Sequence, residues 1–199
     1  MDDAGLVARA LGGSQDAFRE IVVRYQRPVF ALILRMVRDP LTAEELAQET
    51  FVKCYGRLST YDPTRRFASW LFKIAHNTSI DHLRRGGPET VPLEAAGEEE
   101  GGDLFAVLQD ASVEAPDAAA ERRDLARALE RAIATLRPEY RSAVLMRYAE
   151  GLSYSEIVEA TGLPLGTVKT NLHRARKQLA DAMRVFGWAP PETGGEPDS

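Results

Sequence analysis

Cations and short polar side chains share one helical face near the C-terminal end of the sequence. Between Leu165 and Arg184 the chain contains five Lys or Arg residues and one Asp. Apolar residues recur there at positions 168, 172, 175 and 179, the period of one buried helix side. The opposite, polar face comprises Thr167, Lys169, Thr170, Asn171, His173, Arg174, Arg176 and Lys177. Hydroxyls, amides and cations in this mixture suit base edges and phosphates, so the predicted chemistry is DNA binding. The alternative is a solvated helix, although such helices usually alternate Glu with Lys.

The segment before this helix predicts the turn that positions it. Ser153 and Glu156 have the spacing of a capping box, which starts a short helix. Gly162 stands where a left-handed helix end needs glycine. A short helix, a glycine turn and a longer basic helix are typical of the helix-turn-helix, whose second helix enters the DNA major groove. We therefore predict that the first half of the second helix contacts base edges and that its later cations contact phosphates.

A second group of polar residues precedes and lines the predicted helix from Phe67 to Arg85. Lys73, Asn77 and Asp81 are four residues apart and therefore lie on one helix face. The amide of Asn77 is both donor and acceptor, so it can pair with a base edge, unless it caps or bridges within the fold. The candidate set for this second DNA contact is Tyr61, Arg65, Arg66, Lys73, His76, Asn77, Arg84 and Arg85. We predict that the tyrosine offers a stacking surface, that the arginines bind phosphates, and that the histidine is solvated.

Helical periodicity organises the chain on both sides of an irregular acidic segment. Predicted helices cover residues 16–38, 42–58 and 67–85, and the period returns at 125–136 and again after Pro138. The intervening residues are rich in Glu, Gly, Ala and Pro and show no period, as a flexible linker does. We predict an all-α fold of two small helical domains joined by a flexible acidic linker, with the helix-turn-helix in the C-terminal domain. The predicted parts are an N-terminal domain at 1–87, the linker at 88–118, the C-terminal domain at 119–186 and a disordered tail at 187–199.

Charge is unevenly distributed along the 199 residues. The net charge is −5 overall, with +3 on residues 1–87, −9 on residues 88–124 and +1 on the remainder. Both predicted domains are thus mildly basic, and the acidic segment between them hides this in the total. We expect the linker to let the two domains span separate DNA elements and to repel DNA from the free protein.

The sequence disfavours several other kinds of site. A single cysteine, Cys54, leaves no internal disulfide and no Cys-cluster metal site. His76 and His82 are six residues apart, whereas two ligands on one helix face stand four apart. No phosphate-binding loop or serine nucleophile elbow is present, so we expect no metal, no cofactor and no enzymatic activity. Without an apolar run of about 18 residues or a basic leader, we expect a cytoplasmic protein with no membrane insertion.

Four sequence blocks resemble the sigma factors of bacterial RNA polymerase, and their closest match is the extracytoplasmic-function subfamily. The blocks are FREIVVRYQRPVFALILRMV (Phe18–Val37), AEELAQETFVKCY (Ala43–Tyr55), FASWLFKIAHNTSIDHLRR (Phe67–Arg85) and GLSYSEIVEATGLPLGTVKTNLHRARKQL (Gly151–Leu179). A helix-turn-helix alone is a weak family signal, but the order and spacing of the N-terminal blocks make the resemblance specific. One departure is His76, where small or apolar residues are more common in the family.

The resemblance implies a role for each domain. The N-terminal domain would bind the clamp of core polymerase and the downstream (minus-10) promoter element, with base capture around Asn77. The C-terminal domain would bind the upstream (minus-35) element. On the helix from Thr42 to Leu58, the side marked by Ala47, Phe51, Cys54 and Leu58 is predicted to be buried. The outward polymerase-binding candidates on that helix are Glu45, Gln48, Glu49 and Val52. The implied partners are core RNA polymerase and promoter DNA, with an anti-sigma factor as a further candidate.

Two other functions each account for part of the sequence. A repressor or activator that binds DNA alone would use the helix-turn-helix but would leave the N-terminal half as an unexplained sensor or dimerisation domain. An adaptor without a DNA role would leave the basic helix unexplained. A sigma factor that directs core polymerase to promoters and helps to melt DNA accounts for both halves.

Overall fold

The computed structural model describes residues 2–85 and 118–188, with the side chains of 118–122 excepted. Within these ranges the secondary structure is helical, which confirms the predicted all-α class. The predicted linker, apart from its last residue, and residues 189–199 of the predicted tail lie outside the described residues. The helices are α1 Asp3–Leu11, α2 Gln15–Val37, α3 Pro40–Arg57, α4 Phe67–Arg85, α5 Ala118–Thr135, α6 Pro138–Val144, α7 Tyr154–Thr161 and α8 Leu165–Val185. A 3₁₀ turn at Leu58–Thr60 follows α3, and a π-helical turn at Leu145–Ala149 continues α6.

Side-chain caps determine where the first three helices begin. Asp2, Ser14 and Asp39 each accept a hydrogen bond from a backbone amide three residues later, at 3.0, 3.3 and 2.7 Å. These bonds satisfy amides that have no partner within the helix. Helix α2 ends at Val37, and Pro40 occupies the first turn of α3, where its missing N–H costs nothing.

Helix α1 was not expected from the sequence. It is nine residues long and buries Leu6, Val7 and Ala10. Its Asp3 carboxylate accepts hydrogen bonds from Arg24 and Tyr25 of α2, both at 2.6 Å. Burial and this hydrogen bond raise the pKa of the tyrosine, which stays a neutral donor. These contacts tie the short first helix to α2.

The first compact unit contains helices α1 to α4 together with residues 152–168. Helices α2, α3 and α4 pack on one another, and Ile21, Ile33, Phe67 and Leu71 are among its fully buried side chains. The predicted buried side of α3 is confirmed at Ala47, Cys54 and Leu58, whereas Phe51 is half-buried. Burial raises the pKa of the Cys54 thiol to about 12, so this thiol is inert at neutral pH.

The second compact unit contains α5, α6, the π-helical turn and residues 169–188. Its most unusual core residue is Arg141, whose side chain is 2% exposed. The guanidinium donates to the carbonyl oxygens of Ile133, Ala134 and Leu136 at 3.2, 2.9 and 2.6 Å. These carbonyls stand at or just past the end of α5, where helical amides no longer supply every partner; the Ile133 oxygen also accepts from the Leu136 amide at 3.1 Å. A buried cation thus satisfies the end of one helix from within the next. No helix in the described ranges combines the length and apolarity needed to cross a membrane.

We expect Arg141→Met to lower the free energy of unfolding of the second unit by about 2–4 kcal/mol, because it removes three buried hydrogen bonds to carbonyls at the end of α5. The measurement is urea unfolding followed by Trp188 fluorescence in a Trp70→Phe background. The control is Arg127→Met, which breaks an exposed pair with Asp124 of 3.2 Å and should change stability little. Equal unfolding midpoints for the two variants would show that Arg141 does not hold the end of α5.

Candidate nucleic-acid interface

The predicted helix-turn-helix is present, and its local geometry follows from three residues. Ser153 Oγ accepts from the Glu156 amide at 3.3 Å, while Glu156 Oε2 accepts from the Ser153 amide at 2.7 Å. The capping box therefore closes in both directions at the start of α7. Gly162 ends α7 at a φ of 73°, a left-handed conformation that favours glycine. Three residues later α8 begins.

Helix α8 presents most of its predicted polar face. Val168, Leu172, Ala175 and Leu179 are buried, as the periodicity predicted. Thr167, Lys169, Thr170 and Arg174 are exposed, and His173, Arg176 and Lys177 are half-buried. The prediction that Asn171 faces outward is wrong, because its side chain is only 9% exposed. Position 171 is three residues after Val168 and four before Ala175, which places it beside the apolar stripe.

The sequence did not reveal that Tyr140 contacts Arg174 on the polar face of α8. Its side chain is 7% exposed, and Arg174 Nη1 lies 3.4 Å from its hydroxyl oxygen. The guanidinium donates and the phenol oxygen accepts, at the long end of hydrogen-bond distances. This contact limits the orientations of the Arg174 head group. The two residues are 34 positions apart, so no local pattern connects them.

Helix α4 displays the second predicted face. Lys73, Asn77 and Asp81 are all exposed on the same side, and Arg84 and Arg85 are exposed at its end. In the loop before α4, Arg65 and Arg66 are exposed as well, and Arg65 pairs with Asp62 at 3.4 Å. The structure therefore brings six of the eight predicted residues to the surface on one helix and its preceding loop.

The prediction that Tyr61 offers an open stacking surface is wrong. Its side chain is 8% exposed, and its hydroxyl donates to the Arg65 carbonyl at 2.6 Å. Its ring lies 5.2 Å from that of Phe67, edge to face, and 5.7 Å from that of Trp70. Aromatic packing therefore occupies the ring, and Tyr61 shapes the loop that carries the arginines.

The prediction of a solvated His76 is also wrong. Its side chain is 8% exposed because position 76 falls between Phe72 and Ser79 on a buried side of α4. Burial, assisted by the charge of Arg84, lowers its pKa to about 4. Its Nδ1 atom has no hydrogen-bond partner. The side chain is thus a neutral core residue in this conformation and is not displayed to DNA.

Because the folded pKa of His76 lies below the ordinary value of 6.5, the unfolded chain binds a proton that the folded chain does not. Folding stability should therefore fall as pH drops from about 6.5 towards 4. We expect His76→Phe to flatten the dependence of unfolding free energy on pH between 7 and 5. The measurement is urea unfolding at several pH values. If unfolding free energy depended on pH as steeply in His76→Phe as in the wild type, His76 would not be the source of this dependence.

The exposed side of α3 carries the predicted polymerase-binding residues. Glu45 and Gln48 are exposed and Val52 is 71% exposed, as predicted. Glu49 is half-buried, and its carboxylate pairs with Lys53 at 2.7 Å. Tyr55, which was not among the predicted residues, is 60% exposed. Its position three residues after Val52 and seven after Gln48 is the signal that would have found it.

Comparison with known proteins gives consistent matches along the chain. Residues 21–88 match the family model described as Sigma-70 region 2, and residues 126–179 match Sigma-70, region 4. The ECF RNA polymerase sigma factor SigW of Bacillus subtilis is 34% identical over 173 residues, which are 86% of this chain and 91% of SigW.

Two solved structures share the fold. CnrH, in complex with the cytosolic domain of CnrY, has a TM-score of 0.64 at 24% identity, covering 92% of this chain and 97% of CnrH. The sigma factor RpoE from Bartonella quintana, crystallised with the anti-sigma factor NepR, has a TM-score of 0.60 at 21% identity, covering 84% and 97%.

Proposed function

The chain belongs to the extracytoplasmic-function sigma factors of RNA polymerase, and from that premise we propose which of its surfaces bind polymerase and promoter DNA. As a sigma factor it directs core polymerase to promoters. We assign residues 1–87 to core binding and the downstream element, and residues 119–186 to the upstream element. The observation that carries the assignment is the pair of exposed polar helix faces on α4 and α8. The chain acts by binding in the cytoplasm and not by catalysis, and an anti-sigma factor is a proposed further partner, as NepR is for RpoE.

The upstream element is assigned to the exposed face of α8. Lys169, Thr170, His173 and Arg174 lie in the first half of this helix, the part that meets base edges in a helix-turn-helix. Arg176 and Lys177 follow and are assigned to phosphates. Tyr140 supports the base-reading role of Arg174, because a guanidinium held in one orientation loses less freedom when it binds guanine.

We expect Arg174→Ala to relax the preference at one or two upstream base pairs, since an arginine–guanine contact is worth about 1–3 kcal/mol of discrimination. Arg176→Ala should weaken all promoters alike and reduce their salt dependence, because phosphates carry no sequence information. The measurement is a selection of upstream sequences by holoenzyme containing each variant. Recovery of the wild-type motif by an Arg174→Ala, His173→Ala double variant would contradict the assignment.

The downstream element is assigned to the exposed face of α4 and to the loop before it. A base that is read on its edges must leave the duplex, and a polar side chain can then hydrogen-bond it. Asn77 is exposed between Lys73 and Asp81, which fits capture better than a role inside the fold. Arg65, Arg66, Arg84 and Arg85 flank it as phosphate partners.

We expect Asn77→Ala to impair open-complex formation strongly on a double-stranded promoter and less on a promoter that is already melted across the downstream element. The base preference at one downstream position should also change. Because Asn77 is exposed, thermal stability should stay within a small margin of the wild type. A loss of stability with unchanged melting and base preference would make Asn77 a structural residue.

Core polymerase is assigned to the outward side of α3. The exposed Gln48 and Val52, with Tyr55 beside them, form a polar surface with an apolar centre, as protein interfaces commonly do. Glu45 and Glu49 add negative charge at this surface.

We expect Gln48→Ala combined with Glu49→Lys to weaken binding to core polymerase at least tenfold while leaving the fold intact. The double variant would lose the polar contact of Gln48 with polymerase and would reverse the charge that Glu49 presents to it. The matched control is Glu20→Lys on α2, an exposed acid outside this surface. Fluorescence anisotropy of labelled protein titrated with core polymerase measures the effect. Equal affinity for the double variant and the control would remove α3 from the interface.

A sigma factor differs from the two alternatives, a repressor or activator and an adaptor, because it needs core polymerase to bind promoter DNA. A gel shift on promoter DNA, first with this protein alone and then with core polymerase added, distinguishes them. A sigma factor shifts the promoter only with core polymerase present, a repressor or activator shifts it alone, and an adaptor adds nothing to the shift that core polymerase gives.

A further inference from the structure

Helix α7, the first helix of the helix-turn-helix, contacts the start of α4 through two carboxylates. Glu156 Oε1 accepts a hydrogen bond from Ser69 Oγ at 2.6 Å. Glu159 Oε1 lies 2.7 Å from Arg65 Nη1. Residues 65 and 69 and both acids belong to the same compact unit. An acidic side of α7 therefore lies against a hydroxyl and a cation at the N-terminal end of α4.

The covered hydroxyl belongs to the same stripe of α4 that carries Asn77. Ser69, Lys73, Asn77 and Asp81 follow one another at intervals of four, so they share one side of the helix. The last three are exposed, whereas Ser69 is only 4% exposed. Its hydroxyl donates the hydrogen bond to Glu156. The contact with α7 thus covers the first position of the face that we assign to the melted strand.

The charges at this contact resemble those of a bound strand. Burial opposes ionisation of Glu156, but the hydrogen bonds from Ser69 and Ser153 and the charge of Arg66 together lower its pKa below the usual value. The group is therefore an anion near the loop arginines. Glu159 places a second anion on Arg65. The Glu159 carboxylate thus occupies Arg65 as a strand phosphate would, and Glu156 adds a second negative charge that interacts with Arg66.

We propose that the N-terminal end of α4 is an intramolecular docking surface for the acidic side of α7, and that α7 and the downstream single strand compete for it. The inference rests on the proposed role of α4. In the free protein Glu156 and Glu159 hold the surface, so the downstream strand binds poorly. A strand that enters must displace both carboxylates, and the helix-turn-helix leaves α4 when it does.

The contact is suited to reversible release. The Arg65–Glu159 pair is about half exposed on both sides, and exposed pairs contribute little to stability. The Ser69–Glu156 bond is shorter and partly buried. Glu156 keeps its other oxygen on the Ser153 amide, so the start of α7 stays capped when the contact to α4 breaks.

The test is Glu156→Gln combined with Glu159→Gln. Glutamine can replace glutamate in a capping box, so α7 should keep its start. Neither residue belongs to the proposed DNA-binding set. The control is Glu44→Gln combined with Glu139→Gln, which changes net charge equally at two exposed positions. The probe is a fluorescein-labelled single strand carrying the downstream element of a promoter mapped by transcript 5′ ends. Binding to full-length protein is measured by anisotropy without polymerase.

We expect the α7 double variant to bind this strand about five- to tenfold more tightly than wild type, and the control to bind as wild type apart from a small uniform charge effect. Spin labels at Thr64→Cys and Ser155→Cys report the α4–α7 contact directly, because both positions are exposed and Cys54 is buried. In the wild-type background, adding the strand should lengthen and broaden the distance between the labels.

Equal affinity of the α7 variant and the control, or an unchanged label distance with the strand bound, would overturn the competition. The outcome is separable from the role of α4. If Asn77→Ala impairs melting by holoenzyme while the α7 variant binds the strand like the control, only the docking inference fails. If Asn77→Ala has no effect on melting or on strand binding by the α7 variant, the proposed role of α4 fails first.

Discussion

The two hydrogen bonds of the Glu156 carboxylate join α7 to α4, the two parts of the described structure that lead to the proposed DNA-binding faces. One of its oxygens satisfies the Ser153 amide and so starts α7, and the other accepts a hydrogen bond from Ser69 of α4. A helix begins with amides that have no partner in the chain behind them, so the start of a short helix depends strongly on its cap. Because α7 is capped by Ser153 and ends at Gly162, the start of α8 at Leu165 is fixed as well. One side chain thus both caps α7 and hydrogen-bonds to α4.

Two buried polar side chains, Arg141 and His76, meet the cost of burial in different ways. Arg141 is buried and donates to three carbonyls at the end of α5, so its charge is compensated by carbonyl dipoles. His76 is buried with one ring nitrogen unpartnered, and it avoids the cost of a buried charge by staying neutral. The first residue stabilises a helix junction. The second is expected to make the stability of the N-terminal helices fall at mildly acidic pH.

Local patterns predicted the elements that are long or clearly capped. The period of apolar residues gave α2, α3 and α4 within two residues at each end, and the capping box with Gly162 gave α7 and the turn. Helix α1 was not predicted because its nine residues contain too few apolar repeats to establish a period. The four-residue spacing that placed Lys73 and Asn77 on one face is a property of the helix alone, so it held in the fold.

Residues at the edges of an apolar stripe, and partners distant in sequence, could not be predicted. His76 and Asn171 sit beside buried stripes, where a few degrees of helix rotation decide exposure. Tyr61 is buried by rings that approach it only after the loop folds onto α4. Ser69 and Glu156 are 87 positions apart, and nothing local in either segment indicates that they meet. The sequence therefore predicts which surfaces carry polar chemistry, while the packing decides which of those surfaces are open.

The central claim is that one chain recognises two separate promoter elements and melts one of them only as part of the polymerase. Permanganate and DNase I footprinting of the same promoter fragment, with holoenzyme and with each component alone, test it most directly. We expect DNase protection over the upstream element together with permanganate-reactive thymines at the downstream element, and both only when chain and core polymerase are combined. Upstream protection by the chain alone at the same salt, with no reactive thymines after core polymerase is added, would contradict it.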